Sequence, residues 1–289
     1  MELDFTAAFR RYREERRELF TDAKVKPGPI PAEVLAYWRA KGLKPGFDYR
    51  DVWNEEHDFA FTAAKHMRQD VLEAMSEELE RAFTDGVPFD QWKRELEPRM
   101  KALGWWNTQD VKDPETGRIA KVNPPSRLHT IYQTNMRTAR AVGQYDRIQR
   151  TKRYRPYLLY MVGPSARHRE QHLAWHGLLL AADDPFWRYA FPPNGWGCKC
   201  NVQSVSRLEA DRLEDEGVLA PEPEPRLDDD GNPTGHVVDV RIPVTRTAPV
   251  LELVPWENKR TGGVEFVPKG IDPGFHHTPG EGRKLALAR

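Results

Sequence analysis

The sequence predicts an α+β fold: a helical N-terminal half, a mixed α/β central domain with a His/Cys knot, and a short β-rich tail. Three observations carry this. Between residues 57 and 150, apolar side chains recur every three or four positions, the spacing of one helix face. Beyond residue 236 the valine-rich runs are short, and Pro243, Pro249, Pro255 and Pro268 confine them to brief or edge strands. Between these regions, residues 157–205 hold both cysteines, Cys198 and Cys200, and three of the nine histidines, His168, His172 and His176.

The elements follow in order. Residues 5–20 pair Phe5, Phe9, Tyr12, Leu19 and Phe20 with many charges, which reads as a short charged helix within an N-terminal arm over 1–45. VKPGPIP breaks it, and a second short helix is expected over 32–41, closed by Gly42. A helical region over 46–125 comes next. Phe61, Ala64, Met67, Val71, Met75, Leu79 and Ala82 place one helix over 57–83. Asp90 is expected to cap another, with Trp92, Leu96, Met100 and Leu103 inside and Gly104 at its end. DPETGR is a turn signal and a candidate hairpin tip. The central core is expected over 126–217. There Ser126 opens a long helix whose inner face is Leu128, Ile131, Tyr132, Met136, Ala139, Val142 and Tyr145. Residues 157–162 read as a buried strand, 165–176 as a helix closed by Gly177, and 200–205 as a strand. Ser206 and Glu209 spell a capping box for one more helix. Residues 218–235 read as an acidic, Pro-rich linker, and 236–289 as the short-strand tail.

The net charge of zero, from 44 basic and 44 acidic side chains, hides a pattern. Residues 51–100 carry 13 acidic and 6 basic groups, whereas residues 101–200 carry 16 basic and 7 acidic. The basic run Arg137, Arg140, Arg147, Arg150, Lys152 and Arg153 is a candidate contact for nucleic-acid phosphate or an acidic partner. The same letters also describe a solvated helix face. No 18-residue apolar run is present and the first 20 residues are charged throughout, which points to a chain kept in a cytosol and to no membrane partner. In a reducing compartment a C-x-C pair suggests metal before disulfide.

The chemistry concentrates in residues 157–205. A spacing of four puts His172 and His176 on one face of a helix. Cys198 and Cys200 follow the rigid turn Pro193-Asn194-Gly195-Trp196. Together they make an N2S2 set suited to a tetrahedral, structural Zn2+, with His168 as an alternative ligand. A metal-free arrangement, with cysteines packed in a turn and histidines bonded to backbone, fits the same residues. Trp175, Phe186, Trp187 and Trp196 would wall the cluster from water. Leu173 follows His172, so the H-E-x-x-H arrangement of zinc peptidases is missing. No catalytic residue is assigned.

The strings HLAWHG, DDPFW and FPPNGWGCKC resemble the signature of the phage Mu protein F-like head morphogenesis family, the minor head proteins of tailed phages. GFDYRDVWNEEHDFAFTAAK, RLHTIYQTNMRTARAVGQY and GIDPGF are similar to the family as well, so the resemblance runs over roughly residues 45–280. Its motif positions here are His172, His176, Gly177, Asp184, Pro193, Asn194, Gly195, Cys198 and Cys200, with Lys199 where arginine is common. The resemblance implies a non-enzymatic virion-assembly role near the portal. It implies portal, capsid or scaffolding proteins as partners, contact with packaged double-stranded DNA, and a location in host cytoplasm and then in the procapsid or virion interior. The competing class is a metal-dependent hydrolase or nuclease using the His/Cys site.

Overall fold

A computed structural model describes residues 30–283 apart from residues 166, 229, 231, 260 and 261. The expected helix over 5–20 lies outside the described residues. Helix α1 (Ala32–Arg39) leads to β1 (Gly42–Leu43), which pairs in parallel with β2 (Ala60–Phe61). Two 3-10 turns, Tyr49–Asp51 and Asn54–Asp58, lie between them. Helices α2 (Gln69–Asp85) and α3 (Phe89–Ala102) follow. The helix expected over 57–83 therefore starts twelve residues later. Residues 57–68 carry apolar side chains at helical spacing, yet Phe61 lies in a strand paired with Leu43 and buries its ring against Trp38. Gly86 ends α2 in the left-handed conformation, with φ of 66°. Strands β3 (Gln109–Lys112) and β4 (Ile119–Val122) form the hairpin, and its DPETGR tip is tied by Thr116 Oγ1 donating to Asp113.

The long helix α4 (Pro124–Thr151) joins two cores. Pro124 and Pro125 occupy its first turn, where a missing N–H costs nothing. Leu128, Tyr132, Met136, Ala139 and Val142 pack with α1, α2, α3 and the β3–β4 hairpin in the first core. Ala141 and Ile148 of the same helix belong to the second core. Gly143 marks the closest approach of α4 to α1. A Cβ at that position would lie 2.5 Å from Val34 Cγ2. Gly143→Ala is therefore expected to destabilise by about 1–3 kcal/mol through overpacking, against about 1 kcal/mol of helix-propensity gain. A thermal melt several degrees below wild type checks this, and an unchanged or raised Tm contradicts it.

The second core rests on a three-stranded antiparallel sheet of order β6-β5-β7: β5 (Tyr157–Met161), β6 (Leu179–Ala181) and β7 (Asn201–Val205). Alternation along β5 sends Leu158 and Tyr160 to one core and Leu159 to another. Short helices α5 (Glu170–Ala174) and α6 (Trp187–Ala190) pack on the first face. Helix α7 (Arg207–Glu216), opened by the Ser206/Glu209 capping box, covers the second through Ala210.

The tail adds β8 (Val218–Leu219), β9 (Glu224–Leu227), β10 (Pro233–Val238), β11 (Arg241–Ile242), β12 (Leu253–Glu257) and β13 (Val264–Pro268). They pair as β8–β11, β9–β10 and β12–β13, each antiparallel. Residues 218–235, expected as a linker, thus carry β8, β9 and the start of β10. Residues 270–283 return across both cores. Ile271 enters the second core, and Gly280 and Gly282 donate backbone N–H bonds to the buried carboxylate of Asp58 beside the first.

Candidate metal centre and adjoining basic pocket

Three of the four expected ligand residues come together. His172, Cys198 and Cys200 place one ligand atom each within 4.8 Å of one another. His172 is buried on α5, with its ring stacked on Trp175 at 5.4 Å between centroids. Its Nε2 lies 2.9 Å from the Gly270 carbonyl oxygen. A carbonyl only accepts, so Nε2 carries the proton and Nδ1 presents a lone pair. That lone pair faces Cys200 Sγ at 3.4 Å and Cys198 Sγ at 3.9 Å. A tetrahedral zinc with bonds of about 2.0 Å to nitrogen and about 2.3 Å to sulfur sets an N···S separation of about 3.5 Å. The donor set, its tautomer and its spacing fit such an ion.

His176 stands outside this cluster. Helix α5 ends at Ala174 and Gly177 takes a φ of 84°, so the four-residue spacing no longer defines one helix face. Both His176 nitrogens bond to backbone instead. Nδ1 accepts from Val162 N at 3.1 Å and Nε2 donates to Leu219 O at 2.8 Å. Burial pushes its pKa below the usual histidine value. His168 is also apart, between Gly163 O and Glu222.

The two thiols share charge unequally. Cys200 hydrogen-bonds to Cys198, which holds Cys198 well below the ordinary thiol range. The same bond, with burial, pushes Cys200 up. Backbone hydrogen bonds support both sulfurs, from Asn194 to Cys198 and from Gly163 to Cys200. Gly163 must be glycine for this approach, because a Cβ there would lie 2.0 Å from the Lys199 carbonyl oxygen.

Several supporting residues had no ligand-type signal. Asp272 accepts from Trp196 N at 2.7 Å and from Arg169 at 2.8 Å, which pins the turn ahead of the cysteines. A Cβ at Gly195 would lie 2.3 Å from that carboxylate. The Tyr160 hydroxyl donates to Asn194 Oδ1 at 2.9 Å beneath the same turn. Pro193 follows Pro192 through a cis peptide bond. Asp184 caps the turn into α6 by accepting from Phe186 N. Gly270 and Asp272 belong to the KGIDPGF stretch, so its likeness to the family was the available signal. Trp175, Phe186 and Trp187 are buried, Trp175 against His172, Phe186 against Trp175 and Trp187 against Phe186. Trp196 is instead 39% exposed and packs edge-on against Tyr49 and Phe275.

The basic run is largely engaged. Arg147 and Arg150 both reach Glu33, at 3.3 and 3.1 Å, and Lys152 pairs with Asp183 at 2.6 Å. Arg153 lies over the Tyr154 ring. Arg137 and Arg140 make no ion pair with a carboxylate among the described residues. They face a pocket of about 510 Å3 that is also lined by Lys199, Cys198, Cys200 and Pro193. Burial pulls the half-buried Arg137 guanidinium below its usual pKa, and the charge of Cys198 opposes this.

Residues 73–203 match the family described as Phage Mu protein F like protein. The chain is 38% identical over 184 residues to the putative capsid assembly protein F of Escherichia phage Mu, covering 63% of this chain and 42% of that protein. It is 37% identical over 158 residues to the Mu-like prophage FluMu F protein of Haemophilus influenzae, covering 53% of this chain and 37% of that protein. The chain thus spans about two fifths of the length of these relatives. No solved structure matches it.

Proposed function

Because residues 73–203 belong to the phage Mu protein F-like family, we propose that the chain is a phage or prophage minor head protein acting in procapsid assembly near the portal. The likeness to a protein named for capsid assembly carries this reading. Portal, capsid or scaffolding subunits are its expected partners. No helix among the described residues is long and apolar enough to cross a membrane. Deleting the gene from an inducible prophage should leave lysates without DNA-filled heads by electron microscopy, and the intact gene in trans should restore them. Normal heads in the deletion strain contradict the proposal.

Within this role, His172, Cys198 and Cys200 hold a structural zinc that ties α5 to the turn before β7. The fixed His172 tautomer and the N···S spacing support it. Zinc would cross-link two short elements that have little regular structure of their own. Protein from zinc-replete medium is expected to contain about one zinc per chain. His172→Ala and the double variant Cys198→Ser/Cys200→Ser should lose it, and His176→Gln should keep it. Zinc absent from wild type, or lost equally from His176→Gln, contradicts this site.

A hydrolase would need an open coordination position and a general base. Three protein ligands leave the position, but among the described residues no Asp, Glu or His lines the pocket beside the cysteines. That supports a static site. Contact with packaged DNA rests on the surplus of cations along α4 and its end, and should weaken as salt rises.

A further inference from the structure

The pocket beside the C-x-C turn has a composition that a solvated helix face does not need. Arg137 and Arg140 enter it from one face of α4, three residues apart. Lys199, between the two cysteines, also lines it. Among the described residues no carboxylate lines the pocket, and of its four cations (Arg137, Arg140, Arg147 and Lys199) only Arg147 is paired, with Glu33 at 3.3 Å. Arg137 is half-buried, and against the repulsion from Arg140 the described residues set only the charge of Cys198. Holding like charges together in a partly desolvated concavity is unfavourable unless an anion compensates them.

We propose that this pocket binds a phosphate group, gripped by the guanidinium groups of Arg137 and Arg140 and by the Lys199 ammonium. Guanidinium presents paired N–H donors that match phosphate oxygens, and lysine adds a point charge. The volume of about 510 Å3 exceeds a lone phosphate and suits one that carries a sugar or a short length of backbone. Ala141, Pro192 and Pro193 supply apolar wall for that remainder. The phosphate could come from a free nucleotide or from a nucleic-acid backbone, and both present the same chemistry to these three cations. The proposal stands on the pocket alone and needs neither the head-assembly role nor a bound zinc.

The test uses the purified full chain at low salt, with three probes: inorganic phosphate, a nucleoside monophosphate, and a fluorescent single-stranded oligonucleotide. Titration calorimetry follows the first two and anisotropy the third. Wild type is expected to bind at least one probe. Arg137→Gln/Arg140→Gln should weaken that binding about tenfold or more. Lys199→Gln, at an exposed turn position, should weaken it in the same direction. Arg212→Gln, on exposed α7, should leave it unchanged. Binding of nucleotide without oligonucleotide assigns a free phosphate. Oligonucleotide binding that inorganic phosphate displaces assigns a backbone. The proposal is overturned if no probe binds, or if Arg212→Gln costs as much as the pocket variants. Zinc content measured on the same samples separates a lost pocket from a lost metal site.

Discussion

Asp58→Ala is expected to lower the unfolding free energy by about 3–5 kcal/mol, the usual cost of removing one partner from a buried charged network. Asp58 is fully buried at the end of the second 3-10 turn. Its carboxylate accepts from Tyr37 at 3.2 Å, Gly280 N at 2.8 Å and Gly282 N at 3.1 Å, with Lys41 as the nearby cation. Arg283 donates to its backbone oxygen at 2.6 Å. These bonds fasten the returning tail to the first core. The same tail supplies Gly270 to His172 and Asp272 to the turn ahead of the cysteines. Hydrogen exchange should therefore rise first in residues 276–283 of Asp58→Ala, and the variant should retain zinc less tightly. A wild-type Tm with unchanged exchange in that segment would show that the tail is not held this way.

Acid should unfold the protein well above the pH of ordinary carboxylate titration. Burial lowers His66 to about 4 and His277 to about 3. In the unfolded chain both titrate near about 6.5. Below that pH the unfolded state takes up protons that the folded state refuses, so stability falls as pH falls, until the folded groups themselves protonate. Each histidine contributes a loss of about 1.4 kcal/mol per pH unit over its window. At pH 4.5 the two together remove roughly 5 kcal/mol relative to pH 7. Neither ring nitrogen of His277 has a hydrogen-bond partner among the described residues, so an apolar ring costs none of these bonds. His277→Phe should flatten the fall of Tm between pH 6.5 and 4.5 by about one proton's share. A slope identical to wild type would mean that His277 is not held neutral.

Periodicity located the helices well where burial follows one face. Val71, Met75, Leu79 and Ala82 gave α2, and Leu128 to Val142 gave α4. It failed where burial comes from tertiary pairing. Phe61 looked helical and lies in β2, paired in parallel with Leu43 and packed on Trp38, contacts that no local pattern announces. The same limit explains the site. Cys198, Cys200 and His172 were legible as ligand types, but the helix carrying His172 ends two residues before His176, so the four-residue spacing misled. Gly270, Asp272 and Arg169 lie far apart along the chain, and no spacing rule connects them to the cysteines. In the basic run, neutralisation by Glu33 and Asp183 could not be read from sequence, since each acid comes from a distant element. The PPNGWGCKC string and its neighbours did carry the family, and the match over residues 73–203 bears that out.

Quantitative mass spectrometry of purified procapsids and mature particles tests the assembly role most directly. The chain should be present in procapsids at a fixed ratio to the portal subunit, and Cys198→Ser/Cys200→Ser should reduce its incorporation. Procapsids that assemble and fill with DNA while never containing the chain would contradict it.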